Sequence, residues 1–149
     1  MDDVLVWVCW LTGAYLIGAI PFGFLIGKMR GVDVRTVGSK NIGATNVFRT
    51  VGKKWGLLAF FCDVMKGFLP TLLAQHFVAV PHLPLCVAIA CVVGHMLTPF
   101  MKFKGGKGVA TAFGVFASHV WYGIRFIQGL CAKKAPCEYS GKDHARRIG

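Results

Sequence analysis

Two short segments of this chain bring together glycines, hydroxyls, amides and cations: Gly38-Ser39-Lys40-Asn41-Ile42-Gly43-Ala44-Thr45-Asn46-Val47-Phe48-Arg49 and Phe103-Lys104-Gly105-Gly106-Lys107-Gly108-Val109-Ala110-Thr111. In the first, the hydroxyls of Ser39 and Thr45, the amides of Asn41 and Asn46, the flexible Gly38 and Gly43, and the charged fork of Arg49 can all serve a phosphate oxygen. The second precedes an apolar run, so its backbone donors could crown a helix amino terminus, where the macrodipole also favours an anion. Lys104, Gly105, Gly106, Lys107 and Gly108 are its candidate binding residues, the glycines allowing close backbone approach. It is not a nucleotide-binding P-loop, which needs G-x-x-x-x-G-K-[ST], whereas Lys107 is followed by Gly108. Each segment also has a plainer reading. The first would serve as a solvated turn with helix caps, the second as a basic turn drawn to anionic lipid headgroups.

Three further ionisable groups lie inside apolar surroundings. Asp63 and Lys66 are three residues apart, so they share one face of a helix and can pair. At 1.5 Å per residue they fall roughly 12 to 16 Å along the helix from Trp55, a depth at which charge is expensive and commonly functional. A structural ion pair is the competing reading. His95 stands one turn before Pro99, close to the lysine-glycine segment, where it could reach a phosphate, transfer a proton, or simply pack. The six cysteines, at 9, 62, 86, 91, 131 and 137, form no C-x-x-C pair, and the five histidines form no ligand spacing. We expect no metal site and no cofactor.

The elements that must position these groups belong to a membrane protein. The chain has 149 residues, 55% of them hydrophobic, a formal charge of +11 and a mean hydropathy of +0.59, a mixture foreign to small soluble domains. Val4 to Ile26 carries no charge and is long enough to cross a hydrocarbon layer of roughly 30 Å as one helix of about 20 residues. The start Met1-Asp2-Asp3 lacks the basic region of a signal peptide, so this helix is read as retained. Gly23 to Gly27 has small-xxx-small spacing, read as internal packing, and Gly67 with Pro70 is read as a bend. Further spans are expected at Trp55 to Ala74, Leu83 to Phe100 and Val109 to about Ile124, giving an all-α transmembrane bundle with four crossings. Lys28, Arg30, Arg35, Lys40, Arg49, Lys53 and Lys54 lie between the first two spans, while Gln75 to His82 holds no Lys or Arg. The positive-inside rule therefore puts the amino terminus outside and both glycine-bearing segments inside.

Taken together, G-S-K-N-I-G-A-T-N-V-F-R, D-V-M-K-G-F-L-P and G-H-M-L-T-P-F-M-K-F-K-G-G-K-G-V-A-T resemble, in order and spacing, the bacterial acyl-phosphate:glycerol-3-phosphate acyltransferases over approximately Leu5 to Gly114. The resemblance implies a multi-pass enzyme of the bacterial inner membrane. Its members move a fatty acyl group from acyl phosphate to the 1-position of glycerol 3-phosphate, forming lysophosphatidic acid, and depend on the enzyme that makes acyl phosphate. It further implies that Ser39 and Arg49 are essential, that Asn41, Gly43, Thr45 and Asn46 complete the first motif, and that Lys104 to Gly108 form the phosphate site of glycerol 3-phosphate. Asp63, Lys66 and His95 also fall in the family pattern, the first two as supporting residues and His95 as catalytic. Acyl-CoA-dependent enzymes typically carry H-x-x-x-x-D instead. Here the fifth residues after the histidines are Pro81, Val87, Phe100, Ile124 and Gly149, so that motif is absent.

The pattern departs from the family after about His119. Family members have seven spans and a third motif, with a histidine and an asparagine, that nothing here supplies. Arg125 interrupts the apolar run, and residues 132–149, with Lys133, Lys134, Lys142, Arg146 and Arg147, form a polar basic tail beyond a transmembrane domain of residues 1–131. We expect an incomplete domain with weak or no turnover. The alternative class is a non-catalytic membrane protein that binds anionic lipid or carries an anion past Asp63 and Lys66. Nucleic-acid binding is disfavoured, since the cations flank membrane spans with few interleaved exposed aromatics.

Overall fold

The computed structural model of the protein describes residues 3–78, 80 and 82–132, and every regular element among them is helical. In order these are α1 (Asp3–Ala19), α2 (Phe22–Met29), α3 (Ala44–Thr50), α4 (Lys53–Phe77), α5 (Leu83–Met96) and α6 (Val109–Ala132), with a 3-10 turn at Pro99–Met101. Of the basic tail expected at 132–149, Ala132 ends α6 and the rest lies outside the described residues. Three stretches are long and apolar enough to cross a membrane: Asp3–Met29, Lys53–Phe77 and Leu83–Met101. The helix expected to end near Ile124 runs on to Ala132. It has the length of a span but is not among the stretches apolar enough to cross a membrane.

The first stretch is not the single helix that its uninterrupted apolar run predicts. It breaks at Ile20 and Pro21, because proline has no N–H to continue the ladder and its ring disfavours a helical predecessor. In contrast, α4 runs unbroken through Gly67 and Pro70. The Thr71 hydroxyl donates to the Gly67 carbonyl at 2.8 Å, one of the local adjustments by which membrane helices tolerate proline.

Helices in lipid gain nothing from hiding apolar side chains from one another, so contact depends on close van der Waals fit, which small residues permit. A Cβ at Gly18 would overlap the Cys91 carbonyl and one at Gly94 the Tyr15 carbonyl, which sets the spacing of α1 and α5. In the same way α4 and α6 meet where Gly67 faces the Thr111 carbonyl and Gly114 the Val64 carbonyl. Gly23 and Gly27, expected to serve internal packing, do so against Ile42 and Val34. Two small cores result, one around Ala14, Ala74, Leu83, Val87 and Cys91, the other around Ile26, Val34, Ile42, Val47 and Ala59. Large apolar side chains such as Phe61, Leu73, Ile89 and Phe116 point outward, as a lipid-facing surface requires. Gly94→Ala should therefore force α1 and α5 apart and cost about 1–3 kcal/mol, the usual range for overpacking. Thermal unfolding in detergent micelles checks this, with Gly13→Ala, which meets nothing within 4 Å, as the neutral control.

Candidate functional site

The segment between α2 and α3 is shaped by one side chain. Asn46 is 2% exposed, and its Oδ1 accepts the Ser39 N–H at 2.9 Å. Its Nδ2 donates to the carbonyls of Val34 at 2.8 Å, Val37 at 3.2 Å and Asn41 at 2.9 Å. Gly38, at φ +59°, has no Cβ to collide with that Oδ1, and so it can turn the chain over it. Asn41 closes the next turn, its Oδ1 accepting the Gly43 N–H at 2.8 Å. The amide of Asn46, expected to bind substrate, is thus occupied within the loop, and its role is to hold Ser39 and Asn41 in place. On the outer side of the loop Arg35 pairs with Asp33 at 2.7 Å and holds that carboxyl down at about 2.

The lysine-glycine segment also differs from expectation. The N–H of Gly105 donates to the Met96 carbonyl at 3.0 Å, and that of Gly106 donates to the His95 carbonyl at 3.2 Å. These two donors satisfy the carboxy end of α5 and are not free to cradle an anion. A Cβ at Gly105 would overlap the His95 carbonyl, and one at Gly106 would overlap the imidazole at Nε2. The close approach that these glycines permit is therefore to His95. Gly108, buried at φ +76°, then leads into α6.

The ionisable groups of the spans converge on the same place. Lys66 Nζ lies 2.8 Å from Asp63 Oδ1, both side chains being 2% exposed, so the expected pair forms. The contact is close without being an aligned hydrogen bond, and Asp63 Oδ1 has no hydrogen-bond donor among the described residues. His95 Nδ1 is 3.8 Å from the same oxygen.

A cavity of about 310 Å³ gathers these groups. It is lined by Ser39, Asn41, Gly43, Thr45, Asn46 and Arg49 from the first segment, by Asp63 and His95 from α4 and α5, and by Lys107 and Gly108 from the second. Two segments some sixty residues apart in sequence thus bound a single space, with an acid and an imidazole in its lining. Lys66, Lys104, Gly105 and Gly106 do not line it. Lys66 stands behind Asp63, and Gly105 and Gly106 stand behind His95. Ala44, Phe60, Val109 and Ala110 complete the lining. Their apolar side chains carry no chemical signal in the sequence, although Val109 and Ala110 belong to the first turn of α6, whose N–H groups have no partner within the helix. Cationic side chains, hydroxyls and first-turn donors around one space suit a phosphorylated ligand, and Asp63 with His95 adds a means of moving a proton.

The model of the glycerol-3-phosphate acyltransferase family matches residues 8–132. The glycerol-3-phosphate acyltransferase of Trichlorobacter lovleyi is 53% identical over 107 residues, covering 72% of this chain and 55% of the relative. That of Aquifex aeolicus is 50% identical over 122 residues, covering 74% and 64%. Two crystal structures of PlsY (YgiH), an integral membrane glycerol 3-phosphate acyltransferase, superpose well. The lysophosphatidic acid form has a TM-score of 0.70 at 47% identity, covering 76% of this chain and 56% of that one. The glycerol 3-phosphate form gives 0.69 at 47% identity, covering 80% and 65%. The chain spans about half the length of the curated relatives it matches.

Asn46→Ala should leave the carbonyls of Val34, Val37 and Asn41 and the Ser39 N–H without their partner. We expect a stability loss of about 1–3 kcal/mol, read by thermal unfolding, together with proteolytic cleavage between Val37 and Gly43 that the native protein resists.

Proposed function

The chain belongs to the glycerol-3-phosphate acyltransferase family, and from that premise we propose that it transfers a fatty acyl group from acyl phosphate to the 1-position of glycerol 3-phosphate, forming lysophosphatidic acid. The observation that carries this reading is the single cavity bounded by Ser39, Arg49 and Lys107, with Asp63 and His95 beside them. A dianionic acceptor needs fixed cations. Arg49 and Lys107 supply them as phosphate clamps, assisted by the hydroxyls of Ser39 and Thr45, the Asn41 amide and the backbone at Gly43 and Gly108. Of the two loop lysines, Lys107 takes this role and Lys104 does not, because only Lys107 lines the space.

Acyl phosphate already carries a good leaving group, so positioning and charge stabilisation supply most of the catalysis. The 1-hydroxyl oxygen bonds to the acyl carbon, the bond from that carbon to the phosphate oxygen breaks, and inorganic phosphate departs. The hydroxyl proton passes to a base in the cavity, for which His95 and Asp63 are placed. Outside the cavity, an apolar groove of about 590 Å³ between α1 and α4, lined by Trp10, Ile17, Phe61, Met65 and Leu69 and reaching Lys66, suits the acyl tail. The concentration of Lys and Arg between the first two spans supports an amino terminus outside and a cavity on the cytoplasmic face of the bacterial inner membrane, open to glycerol 3-phosphate and to the enzyme that makes acyl phosphate.

Membranes carrying the 149-residue chain, and others carrying a fusion that adds the remaining length of a curated relative, should be given labelled glycerol 3-phosphate. We expect lysophosphatidic acid from the fusion with acyl phosphate and none with acyl-CoA; product from acyl-CoA alone would overturn the donor assignment. In that fusion Arg49→Ala and Lys107→Ala should each lower kcat/KM by about 10²–10³-fold, the usual cost of removing one charge-stabilising donor, while Lys104→Ala stays within about threefold of the parent.

A further inference from the structure

α1 stops two residues before α2 begins, and this break leaves backbone carbonyls without helical partners inside the bundle. The Ile20 carbonyl accepts the Lys66 ammonium at 2.8 Å as well as the Phe22 N–H at 3.1 Å. The carbonyl before it, Ala19, accepts the Thr98 hydroxyl at 2.6 Å. Phe22, immediately after Pro21, places its ring centroid 5.7 Å from the same ammonium. Lys66 and Thr98 are both almost fully buried, at 4% and 1% exposure, so neither contact is a passing surface encounter. The carboxy end of α1 also carries the negative pole of its macrodipole, which suits an ammonium.

Each donor sits three residues after a group that lines the cavity: Asp63 precedes Lys66 on α4, and His95 precedes Thr98 at the exit of α5. Asp63 and Lys66 lie nearly one helical turn apart on α4, so fixing Lys66 fixes the turn that carries the acid. Thr98 lies in extended chain two residues past the end of α5, so fixing it anchors the helix end that carries the imidazole. Asp63 depends on this, because the Lys66 ammonium touches its Oδ1 without an aligned hydrogen bond and no other donor reaches that oxygen among the described residues.

We propose that the end of α1 created by Pro21 is a positioning device: its two freed carbonyls hold Lys66 and Thr98, and through them set Asp63 opposite His95 at the wall of the cavity. Pro21, Lys66 and Thr98 are positioning residues, since none of them lines the cavity that holds the reacting groups, Lys66 reaching only the apolar groove beside it. The catalytic consequence rests on the acyltransferase reading, but the geometric one does not.

The test uses the full chain labelled with ¹⁵N-histidine in detergent micelles, and compares its histidine ring resonances with those of Pro21→Ala, Lys66→Met, Lys66→Arg and Thr98→Val. The His95 resonances should move in Pro21→Ala, Lys66→Met and Thr98→Val, and stay closer to the parent in Lys66→Arg. His119, exposed on α6 with its ring bonded to the Val115 carbonyl at 3.0 Å, should stay in place in all of them. Thr98→Val and Pro21→Ala change no charge, so a shift in them reports position and not a lost field. In an active fusion the same variants should lower kcat on the order of ten- to a hundredfold, with a smaller change in KM, as misplacement of a reacting group does. Unmoved His95 resonances in both neutral variants would overturn the proposal, as would equal displacement of His95 and His119, which would signify general unfolding. Absence of acyl transfer by the parent fusion would contradict the acyltransferase reading alone, and the resonances would still decide the positioning.

Discussion

The ion pair between Asp63 and Lys66 is the constraint around which the rest is arranged. Two charged side chains, each 2% exposed, in the second of three apolar spans, must be satisfied by protein, because hydrocarbon offers nothing. Their mutual attraction does not complete the coordination of either: the ammonium retains donors beyond Asp63, and the carboxylate oxygen beside it receives no aligned donor. The break in the first stretch supplies one of the missing partners, the Ile20 carbonyl. A helix interruption that would be a defect in a plain membrane anchor thus supports a charge, in keeping with irregular backbone in membranes being tolerated only where protein surrounds it.

Close helix contact serves the same end. Gly18 and Gly94 bring α1 against α5, and Gly67 and Gly114 bring α4 against α6, so the elements bearing the ion pair, the imidazole and the lysine-glycine segment cannot drift apart without losing the packing that holds helices together in lipid. Gly105 and Gly106 extend this principle into the loop. They fold the chain back onto the end of α5 and press it against His95. Glycine here permits protein to approach protein, and the fixed positive charge at the cavity comes from Arg49, Lys107 and the start of α6.

Much of this was legible in the residues. The helical class and the placement of three spans followed from the length of apolar runs, and the pairing of Asp63 with Lys66 followed from their helical spacing. Other features had no local signal. Val4 to Ile26 reads as one span because hydropathy averages over Pro21, whereas the break depends on whether freed carbonyls find donors elsewhere. Asn46 and Asn41 look alike in sequence, yet the first is buried with its amide fully occupied and the second keeps its Nδ2 available. Lys104 and Lys107 are equally basic, and only the path of the loop after Lys102 and Phe103, both at positive φ, separates the one that lines the cavity from the one that does not.

What the sequence by itself determined, then, was which residue types exist to bind an anion and that apolar helical lengths carry them, since composition and period are properties of the chain alone. Only the tertiary structure decided which of those groups meet. Hydrogen-bond donors and acceptors are finite, and whether the N–H of Gly106, the amide of Asn46 or the ammonium of Lys66 remains available to a ligand depends on which carbonyls and carboxylates the packed helices bring within about 3 Å of it.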